Sequence, residues 1–495
     1  MLKNILSAIA KEASIMQYSL SHQNNPKLLK TFFSLFFLYL LFSYSASASV
    51  DSLYKINCAS CHGNKMQGGL GESLVDNKWL HGESDEQIFN VIKNGVANTD
   101  MMAWGNSLSA QEIRSLVIYI RETKYQSELE QMNKAVVHKN GQFSAAGEQF
   151  RLEKLDENNA GYWGIEFLPD NSYLVTEVSG KLWYFNQGIK TEVADIPAVW
   201  HRGQGGLLDI ALHPDYINNK LIYLSYAQSD DGNKAMTAIT RGRIEEGRWV
   251  TDKQIFKADT KHHLSSGAHF GDRMVFQNND LYFSIGDRGN KEMAQDLSRP
   301  NGKIHRLTLD GNIPSDNPFV DTPKALASIW TYGNRNPQGM TLNTKSNKIW
   351  SVEHGPRGGD ELNLITKANN YGWPLATFGM NYNGTPMTDK TSMIGMVQPI
   401  WHWTPSIAVS SIEFYHANAF STWQNKALIG SLAKEELRLL TIVDDEVMKD
   451  ELIIKGQGRI RDLKVAADGS IYLLLNSGSR SSRQGAIYRL VPAGK

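Results

Sequence analysis

The sequence predicts an all-β six-bladed β-propeller preceded by a small all-α domain. Six stretches share one plan, a polar turn followed by a short strand rich in β-branched and aromatic residues. They are Pro169-Asp170-Asn171 before SYLVTEV, Asn218-Asn219-Lys220 before LIYLSYA and Asn278-Asn279-Asp280 before LYFSIGD. The other three are Ser346-Asn347-Lys348 before IWSVEHG, Gln424-Asn425-Lys426 before ALIGSLA, and Ala467-Asp468-Gly469 before SIYLLLN. Self-similarity on this scale is the signature of a propeller, and six copies predict six blades. A pair of β-sandwiches is the competing architecture, but it gives no reason for one turn–strand unit to recur six times. The second observation is a change of character near residue 150, before which helical periodicity replaces strands.

Composition sets outer limits. The chain has 495 residues, 41% of them hydrophobic, enough for two or three domains with a sizeable core. Lys+Arg and Asp+Glu both number 51, so no net charge points to nucleic acid or an acidic polymer as partner. The only two cysteines are Cys58 and Cys61. A disulfide framework and a Cys₄ zinc site are therefore excluded.

Residues 1–49 read as a targeting segment. Lys27 and Lys30 precede the apolar run TFFSLFFLYLLF, and Ala46-Ser47-Ala48 fits a small-residue cleavage site. The run is short for a membrane span, so cleavage and a periplasmic mature protein without a span are expected. An uncleaved anchor is the alternative, and Met16 is an alternative start that would leave a signal peptide of ordinary length.

Residues 50–125 form the helical domain. In Cys58-Ala59-Ser60-Cys61-His62 the spacing lets two thiols add to haem vinyl groups while the histidine reaches the iron. A redox dithiol is the other reading of the pair. Met101 and Met102 supply candidates for the second axial ligand. Downstream, Ser109 caps a helix with Glu112 at the third position, and Ile113, Leu116, Val117 and Ile120 make its apolar stripe. Residues 126–150 are polar and read as a linker or as a short helix plus linker; residues 151–495 form the propeller.

Candidate site residues are spread over several repeats. The stretch EHGPRGGDELNLITKANNYGWP, from Glu353 to Pro374, offers backbone carbonyls beside the carboxylates Asp360 and Glu361, a donor set suited to Ca²⁺. A long polar connection is the plain alternative. Gln204 lies in GQGGLLDIALHPD, His269 in GAHFGDRMVF, Arg335 and Asn336 in YGNRNPQG, and Arg459 and Arg461 in GRIRD, alternating along one strand. Singly, each has a structural explanation: a turn histidine, or solvated arginines. Together they supply a base, several guanidinium groups and a Ca²⁺-type loop, which suit a polyanionic carbonyl cofactor.

These motifs carry two resemblances. Residues 50–125 resemble class I c-type cytochromes, whose ligand methionine usually precedes Pro-Ala-Trp. Here Met101-Met102-Ala103-Trp104 stands instead, which favours Met101 as the partner of His62 on the haem iron, with Met102 as the alternative. From about residue 160 to 493 the chain resembles the soluble aldose sugar dehydrogenases, quinoproteins that carry pyrroloquinoline quinone (PQQ) and Ca²⁺. The shared pieces include GQGGLLDIALHPD, IGDRG, AQDLSRPNGKIHRL, YGNRNPQG, EHGPRGGDELN with NYGWP, and GRIRD.

The resemblance implies roles. His269 matches the base that takes the sugar C1 hydroxyl proton, and Arg335 stands near the reacting quinone oxygen. Gln204, Asn336, Arg459 and Arg461 match cofactor or substrate contacts, as do Trp403 and Ser406 across an alignment gap. Gly355 and Pro356 match carbonyl ligands of Ca²⁺. Asp360, Glu361 and Tyr371 match a supporting shell or a second Ca²⁺ site. Lys434 falls one place later than the family lysine, so either a bulge re-aims it or the cofactor loses a cation. Ala268 stands where some relatives have an acid that orients the histidine. The implied function is oxidation of aldoses to lactones, with electrons passing from PQQ to haem c and on to an external acceptor. The alternative is a propeller without quinone chemistry, acting as a sugar-binding module or a Ca²⁺-dependent lactonase.

Overall fold

The computed structural model describes residues 49–135, 142–479 and 482–494. The expected targeting segment and its alternative start at Met16 lie outside these residues. Among the described residues, no helix is long and apolar enough to cross a membrane.

The helical domain holds α1 (Val50–Asn57), α2 (Ala59–His62), α3 (Asp85–Asn94) and α4 (Ala110–Ala135). Sequence-local chemistry starts the two longest. Ser84 and Gln87 form a reciprocal capping box on α3, and Ser109 and Glu112 do the same on α4. The predicted stripe Ile113, Leu116, Val117 and Ile120 is buried, together with Leu53 from α1 and Ile88, Phe89 and Ile92 from α3.

The rest is six antiparallel sheets. Their innermost strands are Tyr162–Phe167, Leu207–Leu212, Met274–Gln277, Pro337–Asn343, Val409–Tyr415 and Arg459–Val465. Each packs on the next, and the last packs on the first, so the ring is closed. The six repeated segments all become the second strand of a blade: Tyr173–Glu177, Ile222–Gln228, Asp280–Ile285, Lys348–Glu353, Lys426–Ser431 and Ile471–Ser477. The preceding turn explains its own composition. Asn171, Lys220, Asn279, Asn347, Asn425 and Gly469 all have positive φ, a conformation that Asn and Gly adopt most readily. The strand itself is buried on both faces, as in Asp280–Ile285, so it reads as an unbroken apolar run.

Closure corrects the predicted linker. α4 continues to Ala135, Gln142–Ala145 and Glu148–Asn158 are strands, and only 136–141 lie outside the described residues. In the last blade Glu148–Asn158 pairs with Gln484–Pro492 as a further outer strand, joining the start of the propeller to its end. Its polar composition hid it, because an outer strand needs only one buried face. Phe150 supplies it, at 0% exposure.

Five inner strands slip register near their first residues, at Tyr162/Ile165, Leu207/Ile210, Pro337/Gly339, Val409/Ser411 and Ile460/Asp462. Such bulges re-aim side chains, and Asp209, Gln338, Arg461 and Asp462 lie at or beside them. Arg273, at the start of the third blade, joins it to four of the other blades. Its guanidinium meets Asp209 at 2.8 Å and Asp462 at 3.0 Å. Its Nε donates to the Gln338 carbonyl at 3.2 Å, and it stacks 4.6 Å over Trp163. This buried layer plugs the channel and forms a rigid floor.

Candidate active site and haem-binding unit

Above that floor lies a cavity of about 400 Å³. Trp163, Gln338 and Arg461 belong to its base, and Gln204, His354 and Arg459 to its walls. Among the described residues, no Asp or Glu lines it. Arg461 is fully buried, with both terminal nitrogens donating to Gln338 Oε1 at 2.9 Å. Burial first, and then the charges of Arg273, Arg483 and Arg459, push its pKa down to about 9. The cavity therefore carries positive charge without an acidic counterpart, an environment that favours an anion.

His269 stands at the edge of this cavity, its backbone N–H donating to Gln204 Oε1 at 2.8 Å. Its Nδ1 is 2.6 Å from Asp287 Oδ1. Asp287 also accepts from Gly289 N at 2.7 Å and Trp373 Nε1 at 2.9 Å. Burial pushes the Asp287 carboxyl up. The His269 hydrogen bond, the His269 and Arg335 charges and the Gly289 amide outweigh it and hold the pKa below the usual carboxylate range. An ionised carboxylate only accepts, so Nδ1 carries a proton, and Nε2 is the nitrogen placed to act as a base. This is the arrangement of an oriented general base. The orienting acid is Asp287 of IGDRG, a residue that sequence reasoning passed over while looking beside Ala268.

Arg335 and Asn336 are each one hydrogen bond from lining residues. Arg335 Nη1 donates to the His354 carbonyl at 2.9 Å, and its guanidinium lies 5.4 Å over Trp373. Asn336 Oδ1 accepts from Gly271 N at 3.2 Å. Among the described residues, Asn336 Nδ2 and His354 Nε2 are buried with no hydrogen-bond partner. Burial first, then Arg461 and Arg335, holds the His354 pKa far below its usual value, so it is a neutral imidazole. Two orphaned polar atoms beside a cationic cavity fit a polar, anionic ligand.

The Glu353–Pro374 stretch is less of a loop than expected, because Asp360–Ile365 is already a strand. The turn before it is tight. A Cβ on Gly355 would fall 1.6 Å from the Gly359 carbonyl oxygen, so only glycine fits. Asp360 organises the turn and the next blade. It accepts from Gly355 N at 3.0 Å, Ser406 Oγ at 3.1 Å, Ile407 N at 2.9 Å and Ala408 N at 2.5 Å. With both oxygens so engaged it is a support. The one Ser406 hydroxyl proton has a second acceptor in reach, the Pro356 carbonyl at 3.0 Å, and Oγ accepts from Gly358 N at 3.0 Å and Gly359 N at 3.1 Å. A cation on the Pro356 carbonyl would displace that hydroxyl, for which Asp360 remains as acceptor. Among the described residues, no group of three or more His, Cys, Asp or Glu side chains is arranged to hold a metal ion.

Four expected site residues lie elsewhere. Trp403 packs in a core cluster between blades and donates to Asp450 at 3.0 Å. Its place in an outer strand turns it away from the cavity. Tyr371 is a core residue whose hydroxyl donates to the Leu364 carbonyl at 2.6 Å. Glu361 is buried against Glu353 and accepts from Asn363 at 3.2 Å. Burial first, and then Glu353, raises its pKa strongly. Lys434 does not line the cavity; its Nζ sits 3.8 Å over the Tyr125 ring of α4.

In the helical domain, His62 Nδ1 lies 2.8 Å from the Glu72 carbonyl. A carbonyl can only accept, so Nδ1 is protonated and Nε2 is left for a metal. Gly71 gives the ring room, since a Cβ there would come within 3.0 Å of it. Both cysteines are free thiols. Burial, then Cys61, pushes the Cys58 thiol up to about 11, the opposite of a reactive redox dithiol. Trp79 Nε1 is buried without a partner, and Met102 is 62% exposed whereas Met101 is partly buried. These features fit covalent haem, with Met101 the better placed of the two methionines. Replacing both Cys58 and Cys61 with alanine is expected to leave haem that acid–acetone extracts, whereas wild-type haem should stay on the polypeptide in a denaturing gel.

α4 is also the docking helix. Glu122 takes a bidentate ion pair from Arg357, with Nε–Oε1 2.8 Å and Nη2–Oε2 2.5 Å. Tyr125 donates to Glu436 at 2.5 Å, and Lys455 donates to the Tyr125 hydroxyl. Ile118 fills the space over Gly358. The helical domain is thus seated on the turn that begins at Gly355.

Comparison with known proteins agrees with this architecture. The family model for glucose/sorbosone dehydrogenase matches residues 159–489. The chain belongs to the glucose/sorbosone dehydrogenase family and is an oxidoreductase. It is 42% identical over 344 residues to an aldose sugar dehydrogenase of Escherichia coli (strain K12), covering 68% of this chain and 92% of that one. It is 28% identical over 415 residues to quinoprotein glucose dehydrogenase B of Acinetobacter calcoaceticus, covering 66% and 84%. The crystal structure of an apo soluble aldose sugar dehydrogenase from Escherichia coli superimposes with a TM-score of 0.65 at 38% identity, covering 70% of this chain and all of that one. Residues 46–120 match the family model for subunit III of cbb3-type cytochrome c oxidase. The same part is 33% identical over 88 residues to the oxidase subunit FixP of Sinorhizobium medicae (strain WSM419), covering 16% of this chain and 29% of that one. A cytochrome c domain therefore precedes the sugar dehydrogenase propeller.

Proposed function

We propose that the protein oxidises aldoses at C1 to lactones with PQQ and Ca²⁺, and that the electrons leave through haem c to an external acceptor. The observation that carries this reading is the His269–Asp287 pair at the edge of a cavity lined by arginines and, among the described residues, by no carboxylate. Bound PQQ supplies a two-electron carbonyl acceptor for hydride. His269 Nε2 takes the hydroxyl proton, while Asp287 fixes the tautomer and stabilises the charge that develops on the ring. Arg459 and Arg461 hold carboxylates, and Arg335 and Asn336 hold the carbonyl end. The Gly355 and Pro356 carbonyls would hold Ca²⁺, backed by Asp360 and Ser406. The 42% identical relative, named for aldose sugar oxidation, supports the substrate class. A haem-attachment motif behind an apolar leader supports a place outside the cytoplasm.

The test is removal and return. Exhaustive chelation and quinone removal should abolish dye reduction by an aldose, and PQQ with Ca²⁺ together should restore it. Full activity in the stripped protein would sink the reading.

A further inference from the structure

We propose that Arg483 is an additional cofactor-binding cation, bringing to the cavity a charge that Lys434 does not. This rests on reading the cavity as the site of a polycarboxylate quinone. Lys434 is held over Tyr125 and in the field of Glu436 and Glu122, so the docked cytochrome helix keeps it out of the cavity. Arg483 lies between the last two strands of the final blade, and it lines the cavity together with Arg459 and Arg461. Its charge is felt by Arg461, whose pKa it helps to lower, and by His201, which it disfavours as a cation.

The route of the side chain is built into the fold. Gly161 has φ +88°, and a Cβ there would fall 2.3 Å from Arg483 Cδ. The glycine gives the arginine stem its passage to the cavity wall. Three guanidinium groups are among the described lining residues, which include no acid, and the field that lowers the Arg461 pKa favours an anion there. A carboxylate is the ligand chemistry that relieves this, and a guanidinium binds it through two parallel N–H groups.

The experiment is a PQQ titration of the full-length, haem-loaded protein stripped of quinone, followed by equilibrium dialysis. Arg483→Gln should raise the Kd for PQQ roughly ten- to hundredfold, the range for a hydrogen bond to a charged group. The Kd should also become less sensitive to salt. Arg483→Lys should recover part of the affinity, which a purely structural role would not require. An unchanged melting temperature of the stripped variant checks that it is folded. Arg461→Gln runs alongside. If Arg461→Gln weakens binding and Arg483→Gln does not, the assignment of Arg483 is overturned while the cavity reading stands. If neither weakens binding, the cavity reading itself fails.

Discussion

Replacing His269 with glutamine is expected to lower kcat for aldose oxidation about 10²–10⁴-fold, the usual contribution of one positioned general base. The expected loss follows from where protons sit. Asp287 is an acceptor at 2.6 Å from Nδ1, so Nε2 is the basic nitrogen. Asp287 is itself held by Gly289 N and Trp373 Nε1, so the pair is rigid before substrate arrives. Asp287→Asn should be nearly as damaging. An amide can donate to Nδ1, which moves the ring proton to Nε2 and removes the base without emptying the site. Steady-state dye reduction with protein saturated in PQQ and Ca²⁺ measures both variants. A His269→Gln enzyme with near wild-type kcat would move the role elsewhere.

The same pair gives a sign for stability against pH. The folded-state pKa of Asp287 lies below that of a free carboxylate. Its contacts therefore contribute fully above the ordinary carboxylate range. They are lost only as pH falls through the depressed value. Wild type should accordingly gain more stability than Asp287→Asn as acid is neutralised, read as diverging melting temperatures between strongly acidic and neutral pH.

Physical causes separate what was legible in the sequence from what was not. The blade unit was legible because two local requirements coincide. The turn needs a residue tolerant of positive φ, hence Asn171, Asn347, Asn425 and Gly469, and the strand after it is buried on both faces. The outer closing strand Glu148–Asn158 was not, since its pairing with Gln484–Pro492 spans almost the whole propeller and leaves no local trace. The site divides in the same way. His269, Gln204, Arg459 and Arg461 sit in motifs whose turns and bulges shape the cavity. Asp287 ends a strand and read as punctuation, because its partner is fixed by blade geometry. For Lys434 the sequence left two alternatives open for a reason outside the propeller: the aromatic ring it meets belongs to the cytochrome helix.

That helix sets the last expected result. In wild type, haem reduction after mixing with substrate should be first order and independent of protein concentration, because one chain carries both domains and packs them against each other. Between the end of α4 at Ala135 and the strand at Gln142 lies a short connection, so a released domain would stay tethered at an effective concentration in the millimolar range. The docking has two polar anchors on α4, Glu122 and Tyr125. Arg357 grips Glu122 through two hydrogen bonds, and both side chains are about three-quarters shielded from water. Tyr125 is held by Glu436 and by the cations Lys434 and Lys455. Charge-assisted bidentate pairs of this kind are stronger than exposed ones and resist salt better. Glu122→Ala combined with Tyr125→Ala should therefore free the domain without unfolding either part. Stopped-flow traces of the ferrous haem bands should slow at least about tenfold, the cost of exchanging a fixed encounter for a search within the tether. Dye reduction, which takes electrons directly from the propeller, should continue. Haem reduction at the wild-type rate in the double variant would show that docking at Arg357 and Tyr125 is not the transfer geometry. A wild-type rate that scales with protein concentration would show that electrons pass between molecules instead.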